Sequence, residues 1–262
     1  MNISLKHSKR RDQAFESRGE RMKIVAIVQA RMGSTRLPGK VMMDLLGEPV
    51  LVRDVNRLRR SKLLDEIVIA TTNLPADDQI VSLCQERGWL YSRGDENDLL
   101  DRYYQAARAR DVDVVVRVTS DCPMIDPEVV DRVIGVLLDL PHVDYVSNTL
   151  PPRTFPRGLD TEAMTFEALE RAWKEDTDPK LREHVTPYIY QNPDKFQIHG
   201  VINGMDLSSH RWTLDTPEDL AFIRAVYERF GNDHFTTKDV LEYLDKHPEI
   251  VSINCDIRQK EI

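Results

Sequence analysis

Three cationic residues lie within one short segment of the chain, and their types suit the binding of phosphate groups: Arg31, Arg36 and Lys40. Arginine offers forked donors to phosphate oxygens, whereas lysine supplies a mobile point charge. Gly33 and Gly39 accompany them and let main-chain N–H groups approach a ligand without an intervening Cβ. The segment directly follows an apolar run, where turns after strands often hold phosphates. We predict a binding loop for a nucleotide triphosphate; a basic surface turn is the alternative.

Neither familiar glycine-rich fingerprint describes this loop. A Walker loop has four residues between its two glycines and a serine or threonine after the lysine. Here five residues separate Gly33 from Gly39, and Val41 follows Lys40. The dinucleotide pattern G-x-G-x-x-G is also missing from the segment. The loop therefore belongs to another class of nucleotide-binding site.

Two aspartates supply a second kind of chemistry. Asp121 follows the β-branched run 113–119, and Asp215 follows the short run 211–214. The carboxyl ends of strands in an open parallel sheet are where ligands bind, and paired carboxylates suit Mg²⁺. The alternatives are a turn role for Asp121 and a helix cap for Asp215. Thr216, immediately before a proline, already fits the N-cap position.

Other residue clusters are weaker signals. Asp98 and Arg102 are four positions apart in a helical pattern and could form an ordinary surface ion pair. Asp126 precedes a proline and is expected to cap a helix. The three cysteines are dispersed and form no C-x-x-C pair, so we predict neither a disulfide framework nor a structural zinc site.

The composition excludes several classes of function. The 262 residues include 36 basic and 44 acidic side chains, for a net charge of −8, which argues against a nucleic-acid or anionic-membrane surface. There is no apolar run of roughly eighteen residues and no signal-peptide pattern at the N-terminus. We predict a cytoplasmic protein.

Alternating patterns in the first half predict the elements that position these residues. β-branched runs alternate with helical periodicity, which is typical of a doubly wound, mostly parallel α/β sheet. The predicted strands are 23–29, 66–71 and 113–119, and the predicted helices are 50–60, 77–87 and 97–110.

The second half is less regular and predicts a mixed arm at about 140–205 within a single domain that spans 22–262. Residues 1–21 are rich in charge and poor in apolar side chains, which predicts a disordered extension. Translation could begin at Met1 or at Met22. The arm is predicted to contain strands 158–164 and 195–201 and helices 165–175 and 181–191.

Six segments together resemble a known family. They are similar to the cytidylyltransferases that activate sugar acids, such as 3-deoxy-manno-octulosonate and acylneuraminate, and most closely to the spore coat polysaccharide biosynthesis SpsF group. This resemblance implies a Rossmann-like nucleotide-diphospho-sugar transferase fold, CMP transfer from CTP with release of pyrophosphate, a Mg²⁺ cofactor and a homodimer. The segments are 30–40 (ARMGSTRLPGK), 93–103 (RGDENDLLDRY), 117–126 (RVTSDCPMID), 158–162 (GLDTE), 182–186 (REHVT) and 211–220 (RWTLDTPEDL).

The resemblance also implies roles for individual residues. The metal ligands are Asp121 and Asp215, which join Arg31 and Lys40 as catalytic residues. The nucleotide-binding residues are Gln29, Ala30, Arg31, Gly33, Ser34, Arg36, Lys40, Arg93, Asp98 and Arg102. The acceptor-binding residues are Asp160, Glu162, Arg182, Glu183 and His184.

The chain departs from the sugar-acid enzymes at one point. Many of them have Gly-Asp-Glu-Pro where this chain has Ser120-Asp121-Cys122-Pro123. The reaction class therefore transfers better than the acceptor, which could be a sugar acid, an aldose phosphate or a smaller metabolite. Two other functions remain open: a nucleotide-sugar-dependent glycosyltransferase and a non-catalytic nucleotide-binding protein.

Overall fold

A computed structural model describes residues 21–259. The predicted extension 1–21 therefore lies outside the described residues, apart from Arg21. Strand β1, Ile24–Gln29, is an interior strand whose apolar residues are buried on both faces, as in most parallel sheets. Within the described range, no helix combines the length and apolar character that crossing a bilayer requires.

In the part of the chain that the structure describes, seven strands form one sheet in the order β5-β4-β1-β6-β8-β7-β9. The β5, β4, β1 and β6 strands are parallel, β8 runs antiparallel to β6 and β7, and β9 is parallel to β7. A separate hairpin pairs β2 with β3. The strands after β1 are β2 Asp44–Leu45, β3 Glu48–Pro49, β4 Glu66–Thr72, β5 Leu90–Gly94, β6 Val114–Thr119, β7 Tyr145–Ser147, β8 Glu162–Thr165 and β9 Ile198–Gly200.

Helices cover both faces of the sheet and bury two apolar clusters, one on each side. This arrangement confirms the predicted doubly wound α/β fold class with its mixed C-terminal region. Short 3₁₀ turns occur at Lys40–Met42 and Pro75–Asp77. The helices are α1 Val50–Leu58, α2 Asp78–Arg87, α3 Leu99–Arg108, α4 Pro127–Asp139, α5 Phe166–Glu175, α6 Pro179–Arg182, α7 Pro187–Tyr190, α8 Pro217–Phe230, α9 Thr237–Lys246 and α10 Pro248–Val251.

Two predictions for the second half were wrong in detail. The predicted helix 181–191 is divided into α6 and α7, because Val185 has a φ of 69° and Pro187 begins a new turn. The predicted strand 158–164 is shortened to β8. Gly158 has a φ of 101° and lies against the main chain of Trp212, where a Cβ would be 2.5 Å from the carbonyl carbon.

The run 211–214 is also not a strand of the main sheet. It makes one parallel bridge, between Arg157 and Arg211, and the N–H of Leu214 donates to the carbonyl of Asp121 at 2.8 Å. Asp215 therefore reaches the end of β6 through an extended segment laid beside Asp121. The expectation that Asp215 ends a sheet strand is corrected, because this segment pairs with loops.

Candidate functional site

Lys40 lies between the two aspartates that the sequence singled out. Its Nζ is 2.5 Å from Oδ2 of Asp121 and 2.9 Å from Oδ1 of Asp215. A third contact, to the carbonyl of Leu214 at 2.8 Å, completes the donor capacity of the ammonium. Gly39, with a φ of 72°, turns the chain into the short 3₁₀ turn that carries Lys40. Three segments distant in sequence therefore meet at one ammonium group.

Asp121 is held by the end of β6. The hydroxyl of Thr119 donates to Oδ1 of Asp121 at 2.6 Å, which leaves Oδ2 to face Lys40. Burial opposes ionisation of Asp121, but the nearby charge and hydrogen bond of Lys40 outweigh it and lower its pKa below the ordinary value. The carboxylate is therefore ionised at neutral pH.

Asp215 is held by the N-terminus of α8. Thr216 and Asp219 form a reciprocal capping box, and Asp219 Oδ2 also accepts from the main-chain N–H of Asp215 at 2.9 Å. Arg211 Nη2 donates to Asp215 Oδ2 at 2.9 Å, while Arg36 Nη2 is 2.8 Å from Oδ1. Since Thr216 caps the helix, Asp215 is free to face the loop cations.

The charges at this point are closely balanced. Burial lowers the pKa of Lys40, but the opposite charges of Asp121 and Asp215 outweigh that effect and raise it above its ordinary value.

No group of three or more His, Cys, Asp or Glu side chains suited to a metal occurs in residues 21–259. Two carboxylates thus offer hard oxygen donors, and further oxygen ligands would have to come from a bound phosphate or water.

The first half of the loop is fixed by acidic side chains. Asp77 is buried, and its Oδ1 accepts from the main-chain N–H of Met32 at 2.7 Å. Its other oxygen accepts from the hydroxyl of Thr72. Arg31 Nη1 is 3.2 Å from Oε1 of Glu96, and both side chains are partly exposed. The Arg31 guanidinium is therefore accessible to an anionic ligand.

Arg102 is the least satisfied cation of the region. It is only 5% exposed, yet its Nε and Nη1 have no hydrogen-bond partner among residues 21–259. Burial lowers the pKa of Arg102. Gly94 leaves room for it, because a Cβ at this position would be 2.6 Å from Arg102 Cγ. The alternative of an Asp98–Arg102 surface ion pair is wrong, since Asp98 caps α3 and pairs with Arg182 at 2.8 Å.

The other residues predicted to bind the nucleotide line the same edge of the sheet. Ala30 is buried in the core, and Gly33 and Ser34 lie in the loop itself. Gln29 Oε1 accepts from the hydroxyl of a buried tyrosine of α3 at 3.2 Å. Arg93 donates its Nε to a main-chain carbonyl at the end of β4 at 2.7 Å. Arg93 therefore braces the loop after β4.

Two of the predicted acceptor residues have strong partners beside the site. Asp160 accepts hydrogen bonds from Nη1 and Nη2 of Arg153, at 2.7 and 2.9 Å. Glu162 is buried, pairs with Arg117 on the neighbouring strand, and accepts from the hydroxyl of Tyr145 at 2.5 Å. Since both carboxylates have arginine partners, this side of the site combines negative and positive hydrogen-bonding groups.

The remaining three acceptor predictions lie on the segment around α6. Arg182 pairs with Asp98, a residue predicted for the nucleotide side, and donates to the carbonyl of Asp176 at 2.9 Å. Glu183 is exposed, and His184 is partly buried. The structure therefore connects Arg182 to the nucleotide side through an ion pair.

Sequence reasoning missed three residues that hold this region together: Asp77, Arg117 and Arg153. Arg117 is the first residue of the motif 117–126, but the sequence did not indicate that it pairs with Glu162 on β8. Asp77 begins the predicted helix 77–87, and its acidic side chain was the available signal. Arg153 follows two prolines and carries no distinctive pattern.

Comparison with known proteins gives consistent matches along the chain. Residues 25–247 match the family model described as cytidylyltransferase. The chain is 39% identical to an uncharacterised protein from Methanocaldococcus jannaschii, over 91% of this chain and 97% of that protein. It is 32% identical to the spore coat polysaccharide biosynthesis protein SpsF from Bacillus subtilis, over 86% and 95% of the two chains.

A solved structure shows the same architecture. A cytidylyltransferase from Leptospira borgpetersenii is 33% identical and superposes with a TM-score of 0.85. The match covers 92% of this chain and 100% of the other.

Proposed function

Because the chain belongs to the cytidylyltransferase family, we propose that it transfers CMP from CTP to a hydroxyl of a sugar acid or related acceptor, releasing pyrophosphate. The pathway we propose is the synthesis of a surface polysaccharide or glycoconjugate, in keeping with the similarity to SpsF. One observation carries the proposal: Lys40 Nζ lies 2.5 Å from Asp121 and 2.9 Å from Asp215, with Arg36 beside them.

The triphosphate is proposed to bind along the cationic loop. Arg31, Arg36 and Lys40 each pair with a carboxylate, and a triphosphate would compete for these cations. Arg102 lies against Gly94 and has two donors that find no partner in the described part of the chain, which suits a carbonyl or hydroxyl of the nucleoside. A buried donor without a partner is costly, so a ligand that accepts from it gains affinity.

Asp121 and Asp215 fit a Mg²⁺ ion by their chemistry. Both offer carboxylate oxygens, and Mg²⁺ is commonly held by one or two carboxylates together with substrate phosphates. Such an ion would supply Lewis acidity and lower the pKa of a bound hydroxyl. Lys40 would then turn toward the phosphates, which its flexible four-carbon stem allows.

In the proposed reaction an acceptor oxygen forms a bond to the α-phosphorus of CTP. The bond from that phosphorus to the oxygen bridging it to the β-phosphorus breaks, pyrophosphate leaves with the electron pair, and the acceptor hydroxyl gives up its proton to water. Negative charge grows on the leaving group, where Arg31, Arg36 and Lys40 would stabilise it. Catalysis of this kind depends on positioning and electrostatic stabilisation.

We propose that the acceptor binds beside Asp160 and Glu162. Asp160 pairs with Arg153, and Glu162 pairs with Arg117. The carboxylates can accept hydrogen bonds from hydroxyl groups of a ligand, and the arginines can bind its anionic groups. Arg182, Glu183 and His184 would complete this side. A homodimer and a cytoplasmic location complete the proposal, supported by the family resemblance and by the use of CTP.

The test is release of pyrophosphate from CTP in the presence of Mg²⁺ and a panel of sugar acids and phosphorylated metabolites. We expect Asp121→Asn and Asp215→Asn to reduce the rate by about a hundredfold or more, because each replaces a carboxylate that is proposed to bind the metal with a neutral amide. Asp139→Asn, on the exposed surface of α4, is the matched control and should leave the rate unchanged.

Three outcomes would contradict the proposal. Hydrolysis of a preformed nucleotide sugar without pyrophosphate release would indicate a glycosyltransferase. Equal rates for the Asn variants and the control would remove the two aspartates from the chemistry. Stabilisation of the protein by ATP or UTP but not by CTP would overturn the cytidyl assignment.

A further inference from the structure

A buried ion pair between Arg211 and Asp219 holds Asp215 in place. The two side chains are 8% and 0% exposed, and Arg211 donates its Nε and Nη2 to the two carboxylate oxygens of Asp219, at 2.8 and 2.9 Å. The same Nη2 donates to Oδ2 of Asp215 at 2.9 Å, whereas Oδ1 of Asp215 accepts from Lys40. The orientation of the Asp215 carboxylate therefore depends on how firmly this ion pair is held.

Asn254 contacts both members of the ion pair. It is 4% exposed, and its amide nitrogen donates to Oδ1 of Asp219 at 2.9 Å and to the main-chain carbonyl of Arg211 at 3.0 Å. A carboxamide nitrogen has two hydrogens, and both are used here. Because one amide joins a side chain of α8 to the main chain that carries Arg211, it fixes these two parts of the fold relative to each other.

Asn254 lies in the segment after α10, beyond the region 25–247 that matches the family model. Apolar side chains immediately before it, Ile250, Val251 and Ile253, pack against one of the two apolar clusters. The segment is therefore anchored by apolar contacts next to Asn254, and a part of the chain outside the family match reaches the residues that hold Asp215.

Capping of α8 does not by itself require this amide. In α9 the equivalent aspartate, Asp239, forms the same reciprocal box with Thr236, and its carboxylate hydrogen-bonds to no other residue among those described. Asp219 forms its box in the same way and also accepts from Asn254. The additional contact thus occurs at the helix start that holds Asp215, which indicates a role in positioning.

We propose that Asn254 is a positioning residue for Asp215, an inference that rests on the proposed function. It acts through Arg211 and Asp219, and within residues 21–259 it makes no hydrogen bond of its own to Asp215. Without the amide, the guanidinium that holds Oδ2 of Asp215 loses part of its support. Groups that orient a metal-binding carboxylate alter the affinity for the metal without contacting the ion.

The test is calorimetric titration of the full-length protein with CTP, once with Mg²⁺ and once with EDTA, without any acceptor. The ratio of the dissociation constant in EDTA to that in Mg²⁺ measures how strongly the metal and the nucleotide favour each other's binding. A purely structural role for Asn254 would weaken CTP binding equally in both titrations. A positioning role lowers the ratio.

We expect Asn254→Ala to lower this ratio by about threefold to tenfold and to leave the dissociation constant in EDTA unchanged. Asn254→Ser keeps one hydroxyl donor and should lower the ratio by about twofold. It is also the variant to measure if Asn254→Ala does not fold. Asp215→Asn, which removes a proposed metal ligand, sets the scale of the effect.

Asn232→Ala is the matched control for Asn254→Ala. The amide of Asn232 also donates to a main-chain carbonyl, that of Phe230 at 2.7 Å, but it lies just after the other end of α8 and is exposed. The ratio should therefore stay unchanged in this variant.

The outcomes separate this inference from the proposed function. An unchanged ratio in the Asn254 variants, beside a lowered ratio in Asp215→Asn, would overturn the positioning role and leave the proposed function intact. Equal weakening of CTP binding with and without the metal would also overturn it. Absence of CTP binding in the wild-type protein would overturn the proposed function and this inference together, and an unchanged ratio in Asp215→Asn would overturn the metal assignment and this inference.

Discussion

Asp54 is a fully buried carboxyl group on α1, and neither of its oxygens has a hydrogen-bond partner in the described range 21–259. One helical turn later, Arg57 Nε donates to the carbonyl of Ile125 at 2.7 Å, so this face of α1 packs beneath the segment after Asp121. Burial, with the added charge of Asp121, raises the pKa of Asp54 well above its ordinary value. The folded protein therefore binds a proton at Asp54 more tightly than the unfolded chain does.

The sign of this pKa shift gives a prediction for stability. Because the folded pKa is raised, the favourable contribution is complete below the ordinary value of 3.8 and is lost as the pH rises through the folded pKa. Asp54→Asn should therefore raise the free energy of unfolding by about 1–3 kcal/mol at pH 7.5. Urea denaturation should show that gain shrinking toward pH 4.

Asp245→Asn, on the exposed surface of α9, is the control for Asp54→Asn and should change stability little at either pH. A gain for Asp54→Asn that is the same at both pH values would refute the shifted pKa. A loss of stability at pH 7.5 would mean that the ionised form has a partner in the fold.

At the level of elements, two helices begin with the same capping box but differ in distance from the site. Asp219 N donates to Thr216 Oγ1 at 3.3 Å in α8, and Asp239 N donates to Thr236 Oγ1 at 3.2 Å in α9. Only the α8 box also holds Asp215, through the Asp215 N–H. Comparing the two capping boxes therefore distinguishes the stabilisation of a helix N-terminus from the positioning of Asp215.

We expect Thr216→Ala and Thr236→Ala each to lower the free energy of unfolding by about 1 kcal/mol, the usual cost of a lost N-cap. Only Thr216→Ala should also slow pyrophosphate release, because Asp215 loses part of its support. Urea denaturation and the CTP assay measure the two effects. Equal losses of rate in both variants would argue against a special role for the α8 box.

The elements of the first half follow from local patterns. Strands β1, β4 and β6 are runs of buried β-branched residues, and their observed bounds differ from the predicted ones by at most a residue at either end. The second half was less predictable. Strand β8 is shortened by the contact of Gly158 with Trp212, and that contact joins residues far apart in sequence.

At the scale of the whole molecule, Arg57 connects the two halves of the chain. Its fully buried guanidinium donates to the carbonyls of Ile125, Asp233 and Phe235, at 2.7, 3.0 and 2.9 Å. The guanidinium carbon Cζ of Arg57 also lies 4.1 Å from the centre of the Phe235 ring. The contact fixes the region after α8 against α1.

Arg57→Met should lower the free energy of unfolding by about 2–4 kcal/mol, because it leaves three carbonyl groups without this donor. Arg60→Met is the matched control: Arg60 donates to the carbonyl of Asp233 but is partly exposed, so water can replace it. We expect a loss of about 1 kcal/mol or less there. Urea denaturation measures the free energy of unfolding of both variants. If Arg57→Met and Arg60→Met lost similar amounts of stability, the buried arginine would have no special role.

The sequence by itself determined the fold class and the family. The hydrophobic periodicity is a local property, and the motifs around the loop, Asp121 and Asp215 are readable in a single chain. It also identified Thr216 as the N-cap beside Asp215, which the capping box confirms. The Mg²⁺ ion, the acceptor and the homodimer stay predictions.

Only the tertiary structure decided which charges meet. It placed Lys40 between Asp121 and Asp215 and paired Asp98 with Arg182 instead of Arg102. It also left Arg102 with donors that no described residue accepts from. These outcomes depend on contacts across as many as 175 positions of sequence. Spacing along a chain determines which side chains are neighbours within one helix or strand. Ion pairs between elements depend instead on how the whole sheet folds and on which charged groups it buries away from water.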